Sequence, residues 1–425
     1  MMLELRIKNF KSYKDEAIFS FEARSEKALE DNVVITKFHN EEKRILKSAC
    51  IFGPNAAGKS NIIWALDSLS FVLNSSLNFT PLQGTLIYAP FALNQTSSKR
   101  ECLISYKSLI NGEIYIYTIE FNSLQFTKET LSKKNGDKES LIYSFSIDKI
   151  SKNRKFIKGK AWNTEGIFLL EDPNKVLNEN HLLLSLIGRR KSKNVFLLYN
   201  EIVSMETEPF GGSLADIHNM HFVRHNDSMI KERVVKLLNV ADLGIVNILE
   251  KKDKSELKEN QNVNDGINDQ EFLFVHKGKG RVEKKFPPSN ESVGTLKLFK
   301  IASRILYALE AGSVVAYDEM DMAIHPDLFK LLIQLFNNSR SNPRNAQILF
   351  TCHTPSICEN MRADQIWFAQ KNSSGESELY SAQDFEGVSI TMPFENWYRN
   401  GKFGSLPDFK AIDYIFEDRN GASKT

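Results

Sequence analysis

Apolar and polar residues alternate with period two at the start of the chain, Leu3, Leu5 and Ile7 against Glu4, Arg6 and Lys8, and again through Ala17, Phe19 and Phe21. Such alternation predicts two half-buried antiparallel strands. A short apolar run, Ser48–Phe52, then breaks into a glycine-rich turn and gives way to helical spacing over residues 61–73. Alternating aromatic and β-branched residues over 101–106 and Glu113–Phe121, joined through Asn111-Gly112, predict a hairpin. From about Ile147 the pattern changes. Lys152, Arg154, Lys155, Lys158 and Lys160 form a basic stretch, helical periodicity runs over 178–187 and Ser228–Val240, and 250–270 reads as a solvated loop. After Ser289 helices over 294–310 and 328–336 alternate with apolar runs over 313–317, Gln347–Thr351 and 365–370, followed by a strand over 378–381. Strands alternating with helices predict a mostly parallel sheet covered on both faces.

The expected organisation is therefore an α/β fold in three parts. Residues 1–146 form one lobe with antiparallel N-terminal strands, 147–285 a mainly helical insertion, and 286–425 a second lobe completing the sheet. A length of 425 residues fits two or three lobes at roughly 150 residues each.

Composition narrows the class only a little. Apolar residues make up 42% and charged residues 25%, ordinary values for a globular chain, and a net charge of +2 removes any global electrostatic argument for nucleic acid. The start carries charges throughout and lacks the apolar segment of a secretory signal, and no run of about 18 uncharged apolar residues could span a bilayer. A cytoplasmic chain with no membrane partner is expected. Cys50, Cys102, Cys352 and Cys358 lack the C-x-x-C spacing of a zinc knuckle and read as reduced thiols.

The strongest chemical signal is Gly53-Pro54-Asn55-Ala56-Ala57-Gly58-Lys59-Ser60, which fits G-x-x-x-x-G-K-[ST] between a predicted strand and a predicted helix. The glycines let backbone N–H groups curl inward onto phosphate oxygens, and the following helix, opening with Ser60 and Asn61, adds its positive end. Lys59 would bridge the terminal phosphates and Ser60 would hold Mg2+. By average residue frequencies the four fixed positions arise by accident about once or twice in a hundred such chains.

Far downstream the apolar run Val314–Tyr317 delivers Asp318 and Glu319 to its end, where a nucleotide enzyme needs a Mg2+ partner and a base to orient water. Asp318 is the expected metal contact and Glu319 the expected general base. Ser292-Val293-Gly294-Thr295 opens a helix in a geometry suited to an anion. His353, after Gln347–Thr351, is positioned to touch a terminal phosphate, while Asp321 and His325-Pro326 follow the carboxylates in a turn.

In their order these elements resemble ATP-binding-cassette ATPases, in the branch that includes structural-maintenance-of-chromosomes, recombination-F-like and overcoming-lysogenisation-defect proteins. Within it the chain most resembles bacterial AAA-family ATPases found with abortive-infection and restriction-linked genes. The carriers are the Leu5-to-Tyr13 segment, the phosphate loop, Tyr88-Ala89-Pro90-Phe91, Ser292 to Thr295, Asp318-Glu319, Ile324-His325-Pro326, Thr351 to Thr354, the stretch from Asp364 to Tyr380, and Gly401 to Gly404. The resemblance implies a P-loop NTPase of cassette type in which ATP and Mg2+ are clamped in a head-to-tail homodimer. Ser292 and Gly294 of one copy would face the ATP held by Lys59 and Ser60 of the other, and Gln95 is the candidate glutamine-loop metal contact. It further implies an ATP-driven switch in anti-phage defence that controls an effector nuclease encoded on a separate chain. Two alternatives stay open: a DNA-repair or DNA-end-binding ATPase using the basic stretch around Phe156, and an assembly scaffold in which turnover is negligible.

Overall fold

The computed structural model describes residues 1–425 except 40, 81–82, 137, 148–153, 168–171, 191–192, 210–227, 242–243, 251–271, 279–281, 392 and 405–425. A six-stranded sheet runs in the order Glu206–Glu208, Val314–Tyr317, Gln347–Thr351, Ser48–Phe52, Ile366–Lys371 and Ser377–Ser381. All neighbours pair in parallel until the last strand, which is antiparallel. Alternate residues of these strands enter different cores, because successive side chains point to opposite faces. Ala49, Ile51, Ala316 and Leu349 pack with the helix Lys59–Ser75 and the N-terminal strands. Cys50, Phe52, Val315, Tyr317, Ile348 and Phe350 pack with the helices Val293–Ala311 and Pro326–Asn337. A sheet buried on both sides explains why its strands read as unbroken apolar runs.

A seven-stranded antiparallel sheet stands beside it, ordered Arg154–Lys158, Lys138–Ile147, Phe126–Asn135, Glu113–Phe121, Cys102–Ile110, Met2–Lys8 and Ala17–Ser20. The hairpin turns through Asn111 and Gly112, both at positive φ (50° and 78°), as a tight turn between right-twisted strands requires. A further hairpin pairs Val33–Phe38 with Glu41–Leu46.

The middle segment departs from the expectation of a mainly helical insertion. Among the described residues of 147–285, the helices Leu183–Ile187, Asn194–Val203 and Ser228–Val240 share the segment with an edge strand of the large sheet, one strand of the parallel sheet, and a separate three-stranded sheet. Residues 178–182 escape the helix expected over 178–187 because polar side chains capture the backbone: Asn178 Oδ1 accepts the Asn180 N–H at 2.8 Å, and Asn180 Nδ2 donates to the Thr80 carbonyl at 3.0 Å. The loop expected over 250–270 lies, from 251 onward, outside the described residues. No helix among the described residues is long and apolar enough to cross a membrane.

One buried ion pair ties the N-terminal segment to the parallel sheet. Arg362 and Asp364 are both fully buried, the guanidinium donating to the carboxylate at 2.9 and 2.8 Å and to the carbonyls of Arg24, Glu26 and Ala28. Asp364→Ala would strand a buried cation, so denaturant unfolding of the full chain should show a loss of about 3–5 kcal/mol. A loss below about 1 kcal/mol, typical of an exposed pair, would contradict this assignment.

Candidate nucleotide-binding site

The phosphate loop leaves a fully buried strand and enters a helix through two glycines at positive φ, Gly53 (149°) and Gly58 (108°). Ala56 also sits in the left-handed region (φ 62°), a conformation that costs a side-chain-bearing residue roughly 1 kcal/mol. Gly58 is required on a second ground: a Cβ there would lie 2.5 Å from Ser377 Oγ and 2.8 Å from Ser12 Oγ. Those hydroxyls form a knot behind the loop. Ser377 Oγ lies 2.6 Å from both the Ala57 carbonyl oxygen and Ser12 Oγ, and Asn61 Nδ2 donates to Ser12 Oγ at 2.6 Å. Asn61, a predicted ligand residue, therefore turns its amide toward this supporting knot.

The helix Lys59–Ser75 begins without a side-chain cap, so its first amides and its dipole suit an anion. Lys59 is buried and folds back into the loop, donating to the carbonyls of Gly53 and Pro54 at 2.8 and 3.0 Å. Burial pushes its ammonium below the ordinary lysine value, against the upward pull of Asp318 and Glu319.

Strand register explains the convergence. Tyr317 stands opposite Phe350, and Thr351 opposite Ile51, so Asp318, the residues after Thr351 and the phosphate loop emerge at the same edge of the sheet. Asp318 is 5% exposed, and its Oδ1 accepts the Thr351 hydroxyl at 2.6 Å. The same hydroxyl oxygen accepts the Glu319 N–H at 2.7 Å. Glu319 adopts φ 45°, a strained state for a side-chain-bearing residue that persists only where the surroundings over-determine it. Its Oε1 lies 3.9 Å from His353 Nε2. Asp321 Oδ2 accepts the His353 N–H at 2.9 Å and the Thr354 hydroxyl at 2.7 Å, fixing the histidine's backbone.

The remaining expected residues are placed elsewhere. Ser292 caps the helix Val293–Ala311, accepting the Thr295 N–H at 3.0 Å, and is exposed beside Val293, which is 71% exposed. Gly294 packs against the same chain's carboxylate loop, where an added Cβ would lie 2.8 Å from the Ala323 carbonyl oxygen. Gln95 is exposed in a surface turn, its backbone carbonyl accepting the Ser98 hydroxyl at 3.0 Å, and among the described residues no hydrogen bond joins it to Ser60 or Asp318. His325 caps the helix Pro326–Asn337. Thr351, Asp321, Ser377 and Ser12 were not singled out from sequence for these contacts, since each acts through a partner remote along the chain.

The chemistry of two donors, Ser60 in the first turn of the helix after the loop and Asp318 at the end of its strand, suits a magnesium nucleotide. The Ser60 hydroxyl and the Asp318 carboxylate are hard oxygen donors, the type Mg2+ takes in small number alongside phosphate oxygens and water.

Two solved structures are similar in outline. One is the SMC head domain from Thermotoga maritima, 13% identical, with a TM-score of 0.40, covering 89% of this chain and 98% of that one. The other is the Smc head domain with an extended coiled coil bound to the C-terminal domain of ScpA from Pyrococcus furiosus, 12% identical, with a TM-score of 0.38, covering 94% and 98%. No curated protein sequence matches this one. Residues 48–359, which carry the phosphate loop, the serine-capped helix and the carboxylate pair, match the family described as "AAA domain, putative AbiEii toxin, Type IV TA system". With most of its length inside that match, the chain belongs to this family of AAA-domain ATPases.

Proposed function

We propose that the chain binds ATP with Mg2+, hydrolyses it between two head-to-tail copies, and uses the cycle as a switch over a separate effector nuclease in anti-phage defence. The observation that carries the reading is the convergence of Lys59, Asp318, Glu319 and His353 on one sheet edge from strands far apart in sequence. Lys59 would neutralise the terminal phosphates, and the uncapped helix start would receive the anion. Ser60 and Asp318 would hold Mg2+, which when bound draws charge from the phosphate oxygens. Glu319 would take a proton from the attacking water, and His353, with its Nε2 3.9 Å from that carboxylate, would touch the terminal phosphate. The exposed start of the Val293–Ala311 helix supports a second copy as the source of the closing contact, because Ser292 faces solvent in its own chain. A nucleotide that prefers the closed pair would shift the population toward it.

The defence role draws on the family description, which names a toxin of a type IV toxin–antitoxin system. The DNA-end reading has less support. Within the basic stretch Arg154 donates to the Leu177 carbonyl at 3.0 Å and stacks 4.1 Å from the Phe145 ring centre, and Phe156 packs on Phe145 and Trp162. Both are committed inward, leaving Lys155, Lys158 and Lys160 exposed.

Phosphate release and particle mass, measured with ATP, with ATP plus EDTA, and for Ser292→Arg, test the reading. Release should require Mg2+, and mass should double with ATP in the unaltered chain but not in the arginine variant. Doubling with ATP but no phosphate release would favour the scaffold alternative. An unchanged monomer that releases phosphate would overturn the dimer.

A further inference from the structure

The helix that carries Ser292 and Gly294 also touches its own chain's carboxylate loop. Lys297 Nζ donates to the backbone carbonyl of Glu319 at 2.8 Å. Its neighbours in sequence, Leu296 and Leu298, are buried in the core, and the lysine's own bond shows that it leaves the helix toward the loop. Gly294, three residues earlier on that face, lets the helix approach: a side chain there would collide with the Ala323 carbonyl oxygen, 2.8 Å from a Cβ.

The loop between these contacts is bracketed by two side-chain-bearing residues at positive φ, Glu319 (45°) and Ala323 (64°). The Glu319 peptide is gripped on both sides. Its N–H is held by Thr351 Oγ1 at 2.7 Å, while its carbonyl accepts Lys297 Nζ at 2.8 Å and the Met322 N–H at 3.1 Å. A left-handed residue held this way aims its side chain in one direction. Released, it would relax toward negative φ and carry the carboxylate away from its position 3.9 Å from His353. Burial lowers the lysine's pKa against the upward pull of Glu208, Asp321, Glu319 and Asp318, and an apolar side chain in its place would leave the Glu319 carbonyl without this donor.

We infer that Lys297 is a positioning residue for Glu319, through which the serine-capped helix sets the conformation of its own chain's hydrolytic carboxylate. The inference rests on the hydrolytic reading above and adds a regulatory link to it. The first turn of this helix would meet a nucleotide held by a second copy, and the next turn holds the backbone of the residue whose carboxylate acts on its own. Any shift of the helix on closure is delivered to Glu319 through one side chain.

The test is a double-mutant cycle on the full chain, with wild type, Lys297→Met, Lys297→Arg, Glu319→Gln and Glu319→Gln combined with Lys297→Met. Steady-state ATP hydrolysis is measured alongside the Kd of a fluorescent ATP analogue. The methionine variant should lower kcat by about tenfold or more while Kd moves by less than about twofold, and arginine should restore kcat to within about threefold. In the Glu319→Gln background the methionine change should alter residual turnover by less than about twofold, because the lysine acts through the missing carboxylate. A general structural role would instead lower kcat, weaken Kd, and add fully to Glu319→Gln; either additivity or a methionine variant as active as wild type overturns the inference alone. An inert wild type overturns the hydrolytic reading and this role with it.

Discussion

Lys59→Ala should lower kcat/KM for ATP by about a thousandfold while leaving the fold in place, the scale expected when a preorganised charge facing the transferred group is removed. The side chain is buried, and its ammonium donates only to the carbonyls of its own loop, Gly53 and Pro54, among the described contacts. Those carbonyls are not the loop's sole support, since Ser12, Ser377 and Asn61 brace it from behind. Truncation therefore removes the charge that would meet the β- and γ-phosphates without removing what shapes the loop. It also leaves the field of Asp318 and Glu319 unopposed where a triphosphate must enter, so binding and turnover should fall together. Circular dichroism checks the fold and phosphate release checks the chemistry. A folded alanine variant hydrolysing ATP within threefold of wild type would remove this loop from the active site.

Glu319→Gln has a different expected signature. Glutamine matches glutamate in size and keeps the backbone contacts to Thr351 and Lys297, but it cannot take a proton. Loss of a general base lowers kcat by about 100- to 10,000-fold, here with ATP affinity retained and the ATP-bound dimer accumulating. The two variants thus separate capture from cleavage: one chain fails to bind, the other binds and stalls. Turnover unchanged in the glutamine variant would transfer the base role away from Glu319, with His353 at 3.9 Å the next group to substitute.

Local signals were readable along the chain because their cause is local. Gly53 to Ser60 are contiguous, and the runs Ser48–Phe52, Val314–Tyr317 and Gln347–Thr351 are apolar throughout because each strand is buried on both faces. Phe126–Asn135 shows the opposite case. It reads as polar, yet Glu129 within it is fully enclosed, accepting hydrogen bonds from the hydroxyls of Tyr117 and Tyr143, each at 2.9 Å, and from the amides of Leu183 and Leu184 at 2.7 and 2.9 Å. Burial drives that carboxyl's pKa upward despite its donors. A carboxyl held inside by remote partners breaks the alternation from which strands are read, and the three strands Phe126–Asn135, Lys138–Ile147 and Arg154–Lys158 stayed hidden while the other four of this sheet were legible. Glu206–Glu208 was missed for a similar reason, being short and acidic at the edge of a sheet.

The phosphate loop, the parallel strands that end beside it, and the carboxylates and histidine at the ends of those strands are legible along the chain. All of this follows from period and spacing, and parallel strands have no choice but to finish at one edge. How these groups are held is visible only in the folded chain. Ser12 meets Ser377 across 365 positions, Thr351 meets Asp318 across 33, and Lys297 meets Glu319 across 22. The physical reason is that a side-chain hydrogen bond is satisfied by whatever packing brings within about 3 Å, and no pattern along the chain encodes that distance.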